Sequence, residues 1–426
     1  MFQTVSLYTL GCRLNQAETA VLSHAFANSG FTIVDFDQPA DLVVINTCTV
    51  TENGDADTRR IVNRIRRHTP QSQIALIGCQ AEIQGETLLR DLAVNFVVGN
   101  GAKMSFPQLL RKQGEKTPAL LLPKITREPF SVAAAEVDPR HTRANLKIQD
   151  GCDFFCSYCE IPYARGRARS REFDDLMRGA RDLLQAGYRE IVLTGINVGT
   201  YSYQDKTIAD VLAALEALPD LQRLRISSIE PTTIPDSLID RMAEKGKFCR
   251  HLHLPMQHGH DQILEAMNRR YRIADYCAFV QQTVQRVPDI CIGADVMVGF
   301  PGETQAHFEA SVRILEELPL AYFHVFSYSD RSRNQSRLFS QKVAKNEIQK
   351  RSKILRDLSN QKRMAYLNRM CGKTESVLFE QSKEDWWSGL TDNFVRVHVR
   401  SQDSLKNCLL PVELDKRRGL TVIGKI

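Results

Sequence analysis

The sequence predicts an α/β protein in three parts: an N-terminal open parallel α/β sheet, a central partial (β/α)6 barrel, and a small C-terminal antiparallel β-barrel. Three observations predict it. Strand-like and helix-like runs alternate over 1–125 and again to about residue 340, the pattern of parallel sheets with covering helices. A stretch rich in Pro and charge, 122–141, separates the two series. Beyond residue 370 the helical pattern stops and short strands broken by Gly, Asn and Asp take over. A chain of 426 residues is also too long for one ordinary core. The expected boundaries are 1–125, 138–370 and 371–426.

In the first series the strands are TVSLYTL, DLVVINT and QIALIG, with amphipathic helices at 18–28 and 57–68 between them. Cys12, Cys48 and Cys79 each fall just past the carboxyl end of one of these strands. Ligand sites gather at that edge of an open α/β sheet, so three separate turns can bring three thiols to one point. The alternative is three structural thiols.

The second series contains six strands: NLKIQD, EIVLTG, RLRISSI, HLHLPM, CIGADVMVGF and AYFHVFSY. Six βα units make an incomplete barrel whose chemistry belongs at the strand C-termini. Residues 341–370 then read as a basic helix, with Ile354, Leu355 and Leu358 on one side. The segment carries nine Lys/Arg against two Asp/Glu, which accounts for the chain's net charge of +6. The last strands read SVLFE, FVRVHVR, CLLPVEL and LTVIGKI.

With 43% hydrophobic and 25% charged residues, the composition excludes a disordered or collagenous chain. No signal peptide is visible, and no stretch approaches the roughly 18 apolar residues of a membrane helix, so a soluble cytoplasmic protein without a membrane partner is expected. In a reducing compartment eleven cysteines point to metal binding or catalysis, not disulfides. Cys249, Cys277, Cys291, Cys371 and Cys408 stand alone and read as ordinary packed thiols.

Cys152-x3-Cys156-x2-Cys159 supplies three thiolates from one loop at the end of the first barrel strand. A cubane cluster held by three cysteines keeps one iron open for a substrate or cofactor. The alternative is zinc with a fourth ligand such as His141, although zinc spacings usually pair cysteines as two CxxC units.

This spacing, with Tyr158 before the last cysteine, resembles the radical S-adenosylmethionine (SAM) enzymes. In that superfamily SAM chelates the open iron and is cleaved by one electron to a 5′-deoxyadenosyl radical. TLGCRLNQAE, INTCTVTENGD, IGCQAE and QDGCDFFCSYCEIPYARGRARSR are more specifically similar to the methylthiotransferase family. LTGINVGTY, RLRISSIEP, HLHLPMQHGHDQILEAMNRRY and DVMVGFPGET match its later motifs in order, and GLTDNFVRV resembles its RNA-binding TRAM domain.

The resemblance implies a radical-generating 4Fe–4S cluster on Cys152, Cys156 and Cys159 and an auxiliary 4Fe–4S cluster on Cys12, Cys48 and Cys79. It also implies SAM contacts at Tyr158, Thr194, Gly195, Asn197, Glu230 and the turn containing Gly299 and Pro301. For Glu230 a structural salt bridge is the alternative. The implied partners are tRNA, through its anticodon stem-loop, and an electron donor such as flavodoxin or ferredoxin. Among the family's branches the motif texture is most similar to the one that modifies threonylcarbamoyladenosine in tRNA. The others act on isopentenyladenosine in tRNA or on a ribosomal-protein aspartate. A zinc-stabilised RNA-binding protein is the reading outside the enzymes. One departure is DRSRNQSRLFS after FSYS, where the branch has an Arg-x-Gly-Thr-Pro-Ala-like turn.

RNA contact is expected from Arg165, Arg167, Arg169 and Arg171 beside Tyr163, since guanidinium groups suit phosphates; a solvated loop is the alternative. Arg59, Arg60, Arg64, Arg66 and Arg67 read equally as an RNA contact or as a solvated helix face. Helix 341–370 is the strongest electrostatic candidate. In the terminal barrel, Trp386, Trp387 and Phe394 are possible stacking faces beside Lys416-Arg417-Arg418, with one Trp as likely in the core.

Overall fold

The computed structural model describes residues 2–49, 52–113, 118–132, 137–138, 140–244 and 246–426. Part of the expected 122–141 linker therefore lies outside the described residues. The first α/β series runs β1 (Thr4–Thr9), α1 (Arg13–Asn28), β2 (Thr32–Val34), β3 (Leu42–Thr47), α2 (Glu52–His68), β4 (Gln73–Gly78), α3 (Cys79–Asp91), β5 (Phe96–Val98), α4 (Phe106–Gln113) and β6 (Ala119–Leu121). The strands form one sheet in the order β2-β1-β3-β4-β5-β6, parallel throughout. β3 is buried along its whole length, as a strand covered on both faces must be. Two apolar layers flank the sheet, one around Phe26, Phe96 and Phe106 and the other around Ile45, Val62 and Leu76.

The second series begins with β7 (Arg143–Lys147), β8 (Gln149–Asp150), α5 (Ile161–Arg165), β9 (Arg169–Ser170) and α6 (Phe173–Gln185). It continues with β10 (Glu190–Thr194), β11 (Ser202–Tyr203), β12 (Lys206–Thr207), α7 (Ile208–Glu216), β13 (Arg223–Ile226) and α8 (Asp236–Ala243). β14 (His251–Gln257), α9 (Asp261–Ala266), α10 (Ile273–Arg286), β15 (Cys291–Val298), α11 (Gln305–Glu317) and β16 (Tyr322–Ser327) complete it. All six expected barrel strands are present. They make two parallel three-stranded sheets, β7-β10-β13 and β14-β15-β16, stitched at one seam where Leu224 accepts from the Cys249 N–H at 2.9 Å. Side chains alternate along each strand. Leu224 and Ile226, Leu252 and Leu254, and Ile292 and Ala294 face the helices, whereas Arg225, His251, His253 and Tyr322 face a polar lumen. On the side of the arc that β7 leaves open, α1 lies against β7 and β10.

α12 (Lys345–Met370) is a single helix that joins the barrel to the terminal strands. Leu355, Tyr366, Leu367 and Met370 are buried, and Ser359 exchanges hydrogen bonds with both backbone groups of Phe323. Ile354 is turned outward, against the expectation that it shares the apolar side with Leu355. β17 (Thr374–Lys383), β18 (Trp386–Thr391), β19 (Arg396–Arg400), β20 (Leu409–Arg418) and β21 (Thr421–Lys425) close a five-stranded barrel. Four of its ladders are antiparallel, and β19 pairs with β21 in parallel. Arginines of β13 and of the turn before β14 hold this barrel in place. Arg223 donates to the Leu390 carbonyl at 2.9 Å, Arg225 to those of Thr391 and Asp392, and Arg250 to the Asp392 carboxylate at 2.7 Å.

Candidate active site

The Cys152–Cys159 loop leaves β8 through Gly151, whose φ of +71° and position 2.1 Å (from an added Cβ) to the Arg167 carbonyl admit no side chain. Phe155, immediately before Cys156, is also left-handed, and the amide of Asn268 fastens the turn by donating to the Phe154 and Phe155 carbonyls. The loop is held on its far side by the divergent segment 330–336. Arg331 donates to Glu160 at 3.3 Å and to Asp55 at 2.8 Å; the Arg333 N–H also reaches Glu160, Asn334 donates to the Tyr158 carbonyl, and the Ser336 N–H donates to the Ser157 carbonyl. The Gly-Thr-Pro turn is thus replaced by a side-chain clamp that also reaches Thr49, next to Cys48.

The other three cysteines stand just past the carboxyl ends of β1, β3 and β4, neighbouring strands of the sheet. Cys12 stands at the N-cap of α1, and Cys79 opens α3. Cys48 follows β3 and packs on Gly11, where a Cβ would lie 2.8 Å from its Sγ. Asn15 ties two of the turns together by donating to the Leu10 and Thr47 carbonyls. Helix N-termini favour negative charge, which suits thiolates and an anionic cluster.

Each triad receives a buried arginine. Arg165, 1% exposed, donates to Cys79 Sγ at 3.1 Å, and Arg269 donates to Cys156 Sγ and to the Tyr158 hydroxyl, both at 3.5 Å. Arg165 also pairs with Glu18 and Asp150 and reaches Asn15, so one side chain that follows the radical loop grips the sheet domain. Lys103 and Lys147 complete the network around Glu18. Despite burial, these cations hold Glu18 well below the usual carboxylate range.

These contacts correct two electrostatic expectations. Arg165 and Arg171 are fully buried, Arg171 against Asp175, while Arg169 pairs with Asp150. Only Arg167 of the four faces outward, stacked over Phe155 at 4.2 Å beside the exposed Tyr163. On α12, Arg351 pairs with Glu303, Lys362 caps the Glu316 and Leu318 carbonyls, and Arg363 donates to the Phe394 carbonyl. The helix is a strut more than a phosphate comb. On α2, Arg60 and Arg64 pair with Asp57 and Asp37 above the buried Val62 and Ile65, the solvated-face reading. Trp387 packs in the terminal barrel's core, and Arg417 is spent on Asn368.

Among the residues expected near SAM, Tyr158 lines a cavity of about 150 Å3 with Cys159, Thr49 and Arg331. Gly195 lines a second, of about 380 Å3, together with Cys12. Thr194 Oγ1 and Asn197 Nδ2 are buried at the end of β10 without a protein partner, as donors kept for a ligand would be. Glu230 pairs with Arg269. Gly299 and Pro301 form a turn in which the Gly299 N–H donates to Glu303 and Phe300 packs beneath Tyr158 and Tyr328.

Burial raises the Cys12, Cys152 and Cys159 thiols, pushing Cys152 up to about 11, with Cys159 raised further. A soft metal that takes thiolates offsets that cost. Among the described residues no three His, Cys, Asp or Glu side chains gather closely enough for a single metal ion, and His141 turns to Asp138. A 4Fe–4S cluster takes cysteine thiolates, and each triad supplies three cysteines, one of them hydrogen-bonded to a buried arginine, so the donor set suits a cluster.

Arg269, Arg331 and Glu18 contact the cysteine loops without being singled out by the sequence reading, although Glu18 ends TLGCRLNQAE and Arg269 lies in HLHLPMQHGHDQILEAMNRRY. Glu18 had a signal: it lies on the apolar face of α1 with Leu14, Ala17, Val21 and Leu22, where an unpaired acid does not survive. Arg331 sits in the segment that departs from the family pattern, so no motif marks it.

Among solved structures, the radical S-adenosylmethionine methyltransferase TsrM from Kitasatospora setae superposes with a TM-score of 0.57 at 16% identity, covering 76% of this chain and 72% of that one. The fold is therefore that of a radical SAM enzyme. Residues 146–315 match the radical SAM superfamily, and 4–99 match the family described as "Uncharacterized protein family UPF0004". The threonylcarbamoyladenosine tRNA methylthiotransferase MtaB of Bacillus subtilis is 32% identical over 97% of this chain and 94% of its own length. The Aquifex aeolicus protein of the same name is also 32% identical, over 99% and 98%. The tRNA-2-methylthio-N(6)-dimethylallyladenosine synthase of Dehalococcoides mccartyi is 32% identical over 99% and 97%. The chain belongs to the radical SAM methylthiotransferase family. That membership brings SAM and a 4Fe–4S cluster as cofactors.

Proposed function

We propose that this protein is a tRNA methylthiotransferase that converts N6-threonylcarbamoyladenosine beside the anticodon to its 2-methylthio derivative. Cys152, Cys156 and Cys159 would hold the radical-generating cluster, and Cys12, Cys48 and Cys79 an auxiliary one, with two SAM molecules used per turnover. When bound, these cofactors supply a methylated sulfur and a radical able to take hydrogen from C2 of the adenine. The chain's own part is to place and shield them. Arg269 and Arg165 donate to a sulfur of each triad, and hydrogen bonds to the sulfurs tune cluster potentials. Arg165 and Arg331 lock the sheet domain, here taken as 1–125, onto the barrel, 138–370. Thr194 and Asn197 would bind SAM, and Tyr158 and Gly195 would line its surroundings.

The observation that supports this reading is that Cys12, from the sheet domain, lines the lumen of the barrel whose first loop carries Cys152, Cys156 and Cys159. RNA would approach over Phe155, Tyr163, Arg167, Lys124 and Arg127, which line one groove beside the radical loop. The terminal barrel, 371–426, would extend that surface, and a flavodoxin or ferredoxin would supply the electrons. An anticodon-loop adenosine is already single-stranded, so presenting it costs only a few kcal/mol.

The relatives named for dimethylallyladenosine, no more distant than those named for threonylcarbamoyladenosine, support a second reading with that substrate. Nucleoside analysis of bulk tRNA from a deletion strain separates the two. Loss of 2-methylthio-threonylcarbamoyladenosine supports the first; its persistence with loss of the isopentenyl product supports the second.

A further inference from the structure

The 380 Å3 cavity on the lumen side of Cys12 is lined by three features that the cluster chemistry leaves unused. The first is Arg13. It has no hydrogen-bond or ion-pair partner among the described residues, although it is half-buried. The acids that act on it, Glu190 and Glu380, are already engaged by Arg225 and Arg143. Arg225 lines the same cavity. A guanidinium placed among like charges calls for an anion. The second is a stack of rings: His251 lies 4.2 Å from Phe394, with Tyr322 parallel beyond. The third is His251 Nδ1, buried with no partner in the protein. The cavity is therefore built for a planar ring that carries a carboxylate, and its size is that of a small-molecule site.

We propose that Arg13 reads the threonyl carboxylate of the modified adenosine and makes this cavity select a threonylcarbamoyl group over an uncharged prenyl group. The inference rests on the substrate reading above. A prenyl group in the same place would leave Arg13 desolvated and unpaired, and a site built for a polar group rejects an analogue that lacks it. SAM carries a carboxylate too, so the test has an arm for it.

The experiment uses the full chain under anaerobic conditions. Kd is measured for an anticodon stem-loop carrying threonylcarbamoyladenosine, for the same stem-loop with unmodified adenosine, and for SAM. Wild type is expected to prefer the modified RNA. In R13Q that preference falls about tenfold or more, the cost of losing a charge-assisted bond to a carboxylate, and SAM affinity stays within about twofold. R13K restores part of the preference, which separates a lost charge from a misfolded loop. A preference kept in R13Q, or a loss of SAM affinity in its place, overturns the role of Arg13 alone. A wild type indifferent to the modification overturns the substrate reading as well.

Discussion

Arg165 joins the two α/β units through buried charge. Its guanidinium meets Glu18, Asp150, Asn15 and the Cys79 sulfur at once. Replacing it with Met leaves two buried carboxylates short of a partner, so unfolding should become easier by about 3–5 kcal/mol, measured by denaturant titration. A smaller perturbation tests the auxiliary triad itself. In Gly11→Ala the new methyl would sit 2.6 Å from Cys48 Cβ on a backbone with φ +92°. Iron bound by Cys12, Cys48 and Cys79 should fall to below half, with a stability loss of only about 1–3 kcal/mol. At this scale the sequence is legible where a residue's type contradicts its surroundings, as Glu18 does. It is silent where a charge finds its partner far along the chain, as Arg331 does with Asp55.

Elements divide the same way. The six barrel strands are legible because each carries β-forming or alternating apolar residues between helical stretches, and β18 is not, because WWSGLT lacks alternation and its Ser-Gly pair reads as a turn. The basic helix is legible as a helix but not as a strut, since its cations satisfy carbonyls and acids that only the fold brings near. RNA affinity should follow from this. Changing Lys124 and Arg167 to Ala should weaken stem-loop binding and flatten its salt dependence by about one unit of log–log slope per lost phosphate contact. Changing Lys353, already paired to Asp357 on the exposed side of α12, should leave both within error. The 330–336 clamp is a further element without a motif. Arg331→Ala together with Asn334→Ala should release iron from the radical triad while circular dichroism stays native, because the loop loses its backing and the barrel does not.

The whole molecule is held together by ion pairs at both junctions, which gives its stability a sign in pH. Glu190 is buried on β10 against Arg225, whose guanidinium also caps the terminal barrel. Those charges outweigh its burial and hold it down at about 2 from an ordinary 4.5. A depressed carboxyl contributes its full stability above pH 4.5 and loses it as pH falls toward 2. The thermal midpoint should therefore drop through that window, and E190Q should flatten the drop.

The central claim is that two cysteine triads, one from each α/β unit, would each hold a cluster. Iron and sulfide content of anaerobically reconstituted protein tests it most directly. Wild type should hold about eight irons, and the Cys12, Cys48, Cys79 triple-alanine variant about four, as should the Cys152, Cys156, Cys159 variant. A triple variant at either site that kept the full wild-type iron content would contradict it.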